Sequence, residues 1–284
     1  DIYLGLHYRL KTGIFTITPG VSAHLYNVNN TQFGQKTTDN FFRFLPDLNV
    51  IVQLKKSETL NLTYSMQTQF TDVTNLAEGL VLNRYNSLYS GNRALDNAFS
   101  HNVNLSYFSF NLFNYTNVFG SLNYNKRIDQ IRNLTNFESV IRTNSPFNSD
   151  FADENFSANG RFQRSFGKLR ASLGGNFNYS KFNQFIQGER SVNENYSQTY
   201  NVELRTNFRD VPNFEIAYRY SIQDNDQGNR RTKFYTNSPS VSFDALIFKT
   251  LTFKTDYTYN NFSDEDGTLN SFEFWNASLS YRKN

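Results

Sequence analysis

From Leu169 to Tyr179 the chain changes character at every residue. Leu169, Ala171, Leu173, Gly175, Phe177 and Tyr179 fall on one side, and Arg170, Ser172, Gly174, Asn176 and Asn178 on the other. A period of two places each set on its own face of a β-strand. The same dyad returns over residues 2–10, 15–26, 45–54 and 60–70, and again at intervals as far as the segment from Trp275 to Tyr281. About thirteen strands follow from it. One face is aliphatic or aromatic and the other is mostly Asn, Ser, Thr and charge. Strands of this kind suit a wall with lipid on one side and water on the other. The expected fold is therefore all-β, an antiparallel transmembrane β-barrel, with residues 1–284 as a single barrel domain that is only part of the whole.

The connections alternate as well. Short turns are expected near residues 11–13, 55–58, 109–115, 165–168, 209–213 and 246–250. Longer polar loops are expected at roughly 27–40, 71–98, 130–153, 184–195, 223–232 and 262–270. Outer-membrane barrels keep short turns in the periplasm and long loops outside. Asp1 is thus expected at the outer surface and Asn284 near the periplasm. Pro19 interrupts the second strand, where a bulge or an unpaired N–H position is expected. An odd strand count conflicts with the even number usual in bacterial barrels, which points to a section of a larger one.

Composition supports this picture. Only 38% of the 284 residues are hydrophobic, against the ~45–50% usual in globular domains. Yet 29 Phe, 18 Tyr and one Trp argue against disorder, and a barrel needs only half of each strand to be apolar. No run approaches the ~18 apolar residues of a spanning helix. The chain has no Cys and a formal charge of only +3, so thiolate metal sites are excluded and nucleic-acid partners are not expected. No charged and apolar leader opens the sequence. The chain is therefore expected to be mature or to begin partway through a longer product.

Seven polar positions are expected to line the lumen: Asn61, Gln67, Arg170, Asn176, Arg219, Lys254 and Asp256. His7 and His24 can be cross-strand neighbours inside, but with no third ligand in view neither a metal nor another cofactor is expected. No G-x-S-x-G or H-E-x-x-H motif occurs, so no enzymatic activity is expected. The loop over residues 71–97 carries Leu76, Leu80, Val81, Leu82, Tyr85, Leu88 and Tyr89, more apolar groups than a solvated loop needs. It can fold over the barrel mouth, meet a partner, line a ligand pocket or pack on itself. Leu80, Tyr85, Tyr89, Gly91 and Asn92 are the candidates for extracellular partner or ligand contact. Rings at Phe147, Phe151, Phe185 and Tyr235 are loop aromatics that can stack on a ligand or on each other.

Ser90-Gly91-Asn92-Arg93-Ala94-Leu95-Asp96, just before a strand, resembles the G-N-P-x-L-x-P-E segment of TonB-dependent outer-membrane receptors. Gly91, Asn92 and Leu95 match. Arg93, Asn97 and Ala98 stand in place of Pro, Pro and Glu. The opening from Gly5 to Gly13 and the Asn/Phe/Tyr-rich composition are also similar to that family, which includes receptors carrying a carboxypeptidase-regulatory-like domain. The resemblance implies a barrel of about 22 strands around a plug. The plug, about seven strands before Asp1 and about two after Asn284 would then be missing here. It also implies a bacterial outer-membrane location and uptake of a bulky nutrient (iron chelate, glycan or peptide) driven through TonB, reached by a segment upstream. The alternatives are a structural subunit of a secretion or barrel-assembly complex, with lipoprotein or other outer-membrane partners, and a passive porin.

Overall fold

The computed structural model describes residues 1–77, 79–208, 212–247 and 250–281. Its strands form one meander. β1 (Ile2–His7) and β2 (Leu10–Thr12) share a lane against β3 (Phe15–Gln32), followed by β4 (Gln35–Lys55) and β5 (Glu58–Gln69). After β6 (Leu80–Arg84) and β7 (Ser87–Ser90), the meander resumes with β8 (Ala98–Asn111) and β9 (Thr116–Ile128). A second excursion, β10 (Ile131–Glu138) and β11 (Ile141–Asn148), precedes β12 (Asp153–Phe166) and β13 (Leu169–Ile186). The last lanes are β14 (Glu189–Thr206), β15 (Asn213–Asp226), β16 (Arg231–Ile247), β17 (Leu251–Ser263) and β18 (Thr268–Tyr281). Of the eighteen strands, β6, β7, β10 and β11 lie in loop hairpins and β1 and β2 share a lane. Thirteen antiparallel lanes remain, the number expected from the alternation.

The strands run longer than the dyad foretold. Polar loops were expected over 27–40 and 184–195, but β3–β4 and β13–β14 continue there as ladders. They close in two-residue turns at Phe33–Gly34 and Gln187–Gly188, all four residues with positive φ. Positive φ at both turn positions matches the right-handed twist of the flanking strands. A spanning strand needs about 9–11 residues, whereas β4 has 21. The excess is polar, and main-chain pairing holds it with no apolar face to accompany it.

Pro19 acts on its neighbour. β3 runs unbroken through it, and the break falls at Tyr8 and Arg9, between β1 and β2. Pro has no N–H to donate across that ladder, although Tyr8 N–H still donates to the Pro19 carbonyl at 3.1 Å. The expected turns at 209–213 and 246–250 include residues outside the described ones.

Among the described residues only Leu95, Ala98 and Ala245 are buried hydrophobics, while Leu4, Leu173, Val202, Ile216, Trp275 and Leu279 are each more than 48% exposed. A soluble chain of this length buries a large apolar core. This sheet instead turns its apolar face outward, as lipid contact requires. The outer edges of β1 and β18 have no partner strand among the described residues, and both strands run in the same direction. The pairings contain nothing that extends the sheet to 22 strands.

Candidate functional site on the polar face

Cross-strand partners share a face, so the register sorts the side chains. One row reads Asn61, Ser106, Ser121, Asn159, Asn176, Thr199, Ser221, Thr236 across eight lanes. All seven residues expected to line a lumen lie on this face. Its polar groups pair along the rows: Asn159 Nδ2 donates to Ser121 Oγ at 2.7 Å, Ser238 Oγ to Asn260 Oδ1 at 2.8 Å, and Asn276 Nδ2 to Asp256 Oδ2 at 2.9 Å. The opposite row, Leu62, Leu105, Leu122, Ala158 and Phe177, is apolar.

Near the short-turn end the polar face sinks into a depression of about 380 Å³. Gly174, Ser172, Ala217 and Ser240 make a low floor, with Arg161, Glu203 and Arg219 standing around it. Gly174 lies between Arg161 and Asn201, and Asn201 pairs with Arg219, so the two guanidiniums stand in one row with only Gly174 and Asn201 between them. The ion pair of Arg161 with Glu203 is loose at 3.9 Å, and Arg205 sits 3.5 Å from Glu215. With Arg170 opposite Arg205, positive charge exceeds negative here. Asn176 and Arg219 were expected in this region; Arg161 and Glu203 were missed. A usable signal existed. Counting back from the Gly167–Lys168 turn, which pairs Phe166 with Leu169, puts Arg161 opposite Gly174.

A second cluster lies on the same face at the other edge. His7 Nε2 is 3.0 Å from Asp47 Oδ2. His24 Nε2 is 3.0 Å from Ser22 Oγ, and its Nδ1 is 3.4 Å from Asp1 Oδ2. Tyr3 and Tyr26 stack on the two faces of the His24 ring, at 5.1 and 5.3 Å between centroids. Gly20 leaves room for the His7–Asp47 pair, since a Cβ there would stand 2.3 Å from His7 Cδ2 and 2.6 Å from Asp47 Oδ1 and would push the two side chains aside.

At the long-loop end the two excursions join. β7 pairs in parallel with β11, and β10 with the upper part of β13, so β6, β7, β11, β10 and β13 continue as one sheet above the wall. The candidate contact residues separate there. Leu80 and Tyr85 are exposed. Tyr89 Oη donates to Asn75 Oδ1 at 2.6 Å, and Asn92 ties two loops, its N–H to the Asn75 carbonyl at 2.7 Å and its Nδ2 to the Pro146 carbonyl at 3.1 Å. Gly91 lies against the turn Val73–Leu76, where a Cβ would come 2.3 Å from the Ala77 carbonyl oxygen. The loop rings also pack locally, Phe185 against Phe147 at 4.8 Å and Phe151 at 6.1 Å.

No family model matches this chain, and no curated protein does. Among solved structures it is similar to OmpT, an outer membrane protein of Vibrio cholerae. The in-vitro folded form is 9% identical, covers 95% of this chain and 97% of that one, and has a TM-score of 0.29. A loop L8 deletion mutant is 10% identical, with 99% and 100% covered and a TM-score of 0.31. Values this low transfer no residue roles.

Two expectations are corrected. The TonB-dependent receptor-like transporter has no support: no family model matches the chain, and the described pairings do not extend the sheet to the roughly 22 strands that such a receptor needs. The segment that suggested it, Gly91 to Leu95, is bound into the packing of the loops. TonB and lipoprotein partners have no support either. The exclusion of enzymatic activity is also withdrawn. Missing local motifs cannot exclude a site assembled from separate strands, because such a site is defined by geometry. The expected outer-membrane location keeps its support in the sheet itself, whose large apolar side chains stay exposed.

Proposed function

We propose that the sheet is the wall of a closed outer-membrane barrel, and that its hydrated face holds anionic polar ligands on the arginine-bearing shelf. Closure follows from the solvent, since lipid does not tolerate an open strand edge. The observation that carries the binding role is the row in which only Gly174 and Asn201 separate Arg161 from Arg219. Guanidinium groups present paired donors that match a carboxylate or phosphate. Gly174 between them lets a ligand approach the backbone.

The test uses protein purified from outer membranes into lipid nanodiscs, titrated calorimetrically with tetragalacturonate, which carries one carboxylate per ring, and with uncharged maltotetraose. Charge-assisted hydrogen bonds contribute about 1.5–3 kcal/mol each. Arg161→Gln and Arg219→Gln should each weaken tetragalacturonate binding by about tenfold or more. Equal binding of the neutral sugar, or unchanged affinity in the double variant, overturns the reading.

A further inference from the structure

We propose that Ser22, His24 and Asp1 form a nucleophilic acyl-transfer site that cleaves short-chain, water-soluble carboxylic esters on the hydrated face. The observations are geometric and do not involve the arginine shelf. Ser22 and His24 lie two apart on β3, so both project from one face. Ser22 Oγ stands 3.0 Å from His24 Nε2, the distance at which an imidazole takes a hydroxyl proton. The other ring nitrogen faces Asp1 Oδ2 at 3.4 Å. That carboxylate selects the tautomer with the proton on Nδ1 and leaves Nε2 free to accept. The Tyr3 and Tyr26 rings hold the imidazole plane from both sides, with interplanar angles of 15° and 10°.

Two glycines clear the approach. Gly5 lies directly across from Ser22, so no side chain from that lane covers the hydroxyl. Gly20, the residue across from His7, leaves the room in which His7 reaches Asp47. Glycine in the middle of a strand costs stability and often marks a place where a ligand comes close to the backbone. His7, held by Asp47, stands on the same face two residues from Gly5. The opening is on the wet face and floored by glycine, which favours small acyl groups over long lipid chains.

The chemistry balances without any further reagent. Ser22 Oγ bonds to the carbonyl carbon while its proton passes to His24 Nε2. The carbon–oxygen bond to the leaving alcohol then breaks, and the alkoxide takes that proton. Water, deprotonated by His24, attacks the acyl-enzyme carbonyl and releases the carboxylic acid, and the proton returns to Ser22 Oγ. Ser22 and His24 are the catalytic residues; Asp1 is a positioning residue.

The experiment uses native outer membranes containing the full chain, treated with a fluorophosphonate probe, with p-nitrophenyl acetate hydrolysis measured alongside. Labelling should map to Ser22 and disappear in Ser22→Ala. His24→Gln should slow labelling by about a hundredfold or more. Asp1→Asn should slow labelling by about tenfold or more, and Asp1→Glu should restore it. Gel mobility with and without heating reports that each variant is folded. No adduct at Ser22 in folded wild-type protein, or equal labelling in His24→Gln, overturns the proposal. Unchanged labelling in Asp1→Asn, or no recovery in Asp1→Glu, overturns the role given to Asp1.

Discussion

Placing a lysine at Leu173 tests the claim on which the membrane reading stands. Leu173 pairs with Phe162 on one side and Val202 on the other, and it is 52% exposed on the apolar face. It lies in β13, a few residues above the Gly167–Lys168 turn. At about 3.3 Å per residue this puts it roughly 13–16 Å into the sheet. The apolar band of a barrel is about 25 Å tall, so the position falls near mid-bilayer. Lysine at that depth costs about 2–4 kcal/mol. At ~1.4 kcal/mol per factor of ten, the folded fraction relative to unfolded should fall by roughly 30- to 1,000-fold. Asn178→Lys is the matched control, five residues further along the same strand and on the polar face, opposite Ser157 and Ser197. It should cost less than about 0.5 kcal/mol, as surface substitutions do. Urea titrations of folding into liposomes, read by heat-dependent gel mobility, measure both. Equal costs, or a larger cost at Asn178, would refute the assignment of faces.

Two further outcomes follow from the loop assembly. Gly91→Ala places a Cβ against backbone atoms of Asn75 and Ala77, which cannot swing aside. It should loosen the loop by about 1–3 kcal/mol, an overpacking cost, seen as faster proteolysis within residues 70–97 while the wall stays folded; unchanged cleavage would contradict it. Asp72 accepts from the Thr74 N–H at 2.9 Å and the Thr74 hydroxyl at 2.8 Å, and these bonds hold its carboxyl below the usual carboxylate value. A lowered folded-state pKa gives stability that is present above the unfolded value and lost as pH falls through the folded one. Hydrogen exchange of the Asn75 amide, which donates to the Asp72 carbonyl at 3.0 Å, should therefore hold steady down to about pH 4 and accelerate below it. In Asp72→Asn that acid step should vanish.

The wall was legible because a period of two carries its own instructions: Leu60, Leu62 and Tyr64 against Asn61, Thr63 and Ser65 need no tertiary context. The extensions of β3 and β4 were not, since Asn27, Asn29, Thr38 and Asn40 put polar groups on the continuation of the face that carries Ala23, Leu25, Phe42 and Phe44, and only the ladder and the Phe33–Gly34 turn organise them. The parallel meeting of β7 with β11 joins Leu88 to Thr143, and no local pattern encodes a partner so distant in sequence. The candidate sites were half legible. Asn176 and Arg219 stand out as polar positions in clear alternation. Arg161 follows Asn159-Gly160, where alternation fades, and only the hairpin register brings it to the shelf. His7 and His24 were seen as neighbours, but their actual partners, Asp47, Ser22 and Asp1, depend on lane spacing and on the room left by Gly20.

The like direction of β1 and β18 has a kinetic consequence. Every other junction in the wall joins successive lanes, so those contacts form early, hairpin by hairpin. If the wall closes as proposed by joining these two edges directly, that seam would bring together segments separated by nearly all of the described residues, at an entropic cost of about 5 kcal/mol. It would form with slanted parallel bonds, slightly weaker per residue than the antiparallel kind. Interior hairpins would then zip first, and sealing of the two margins would set the rate of insertion.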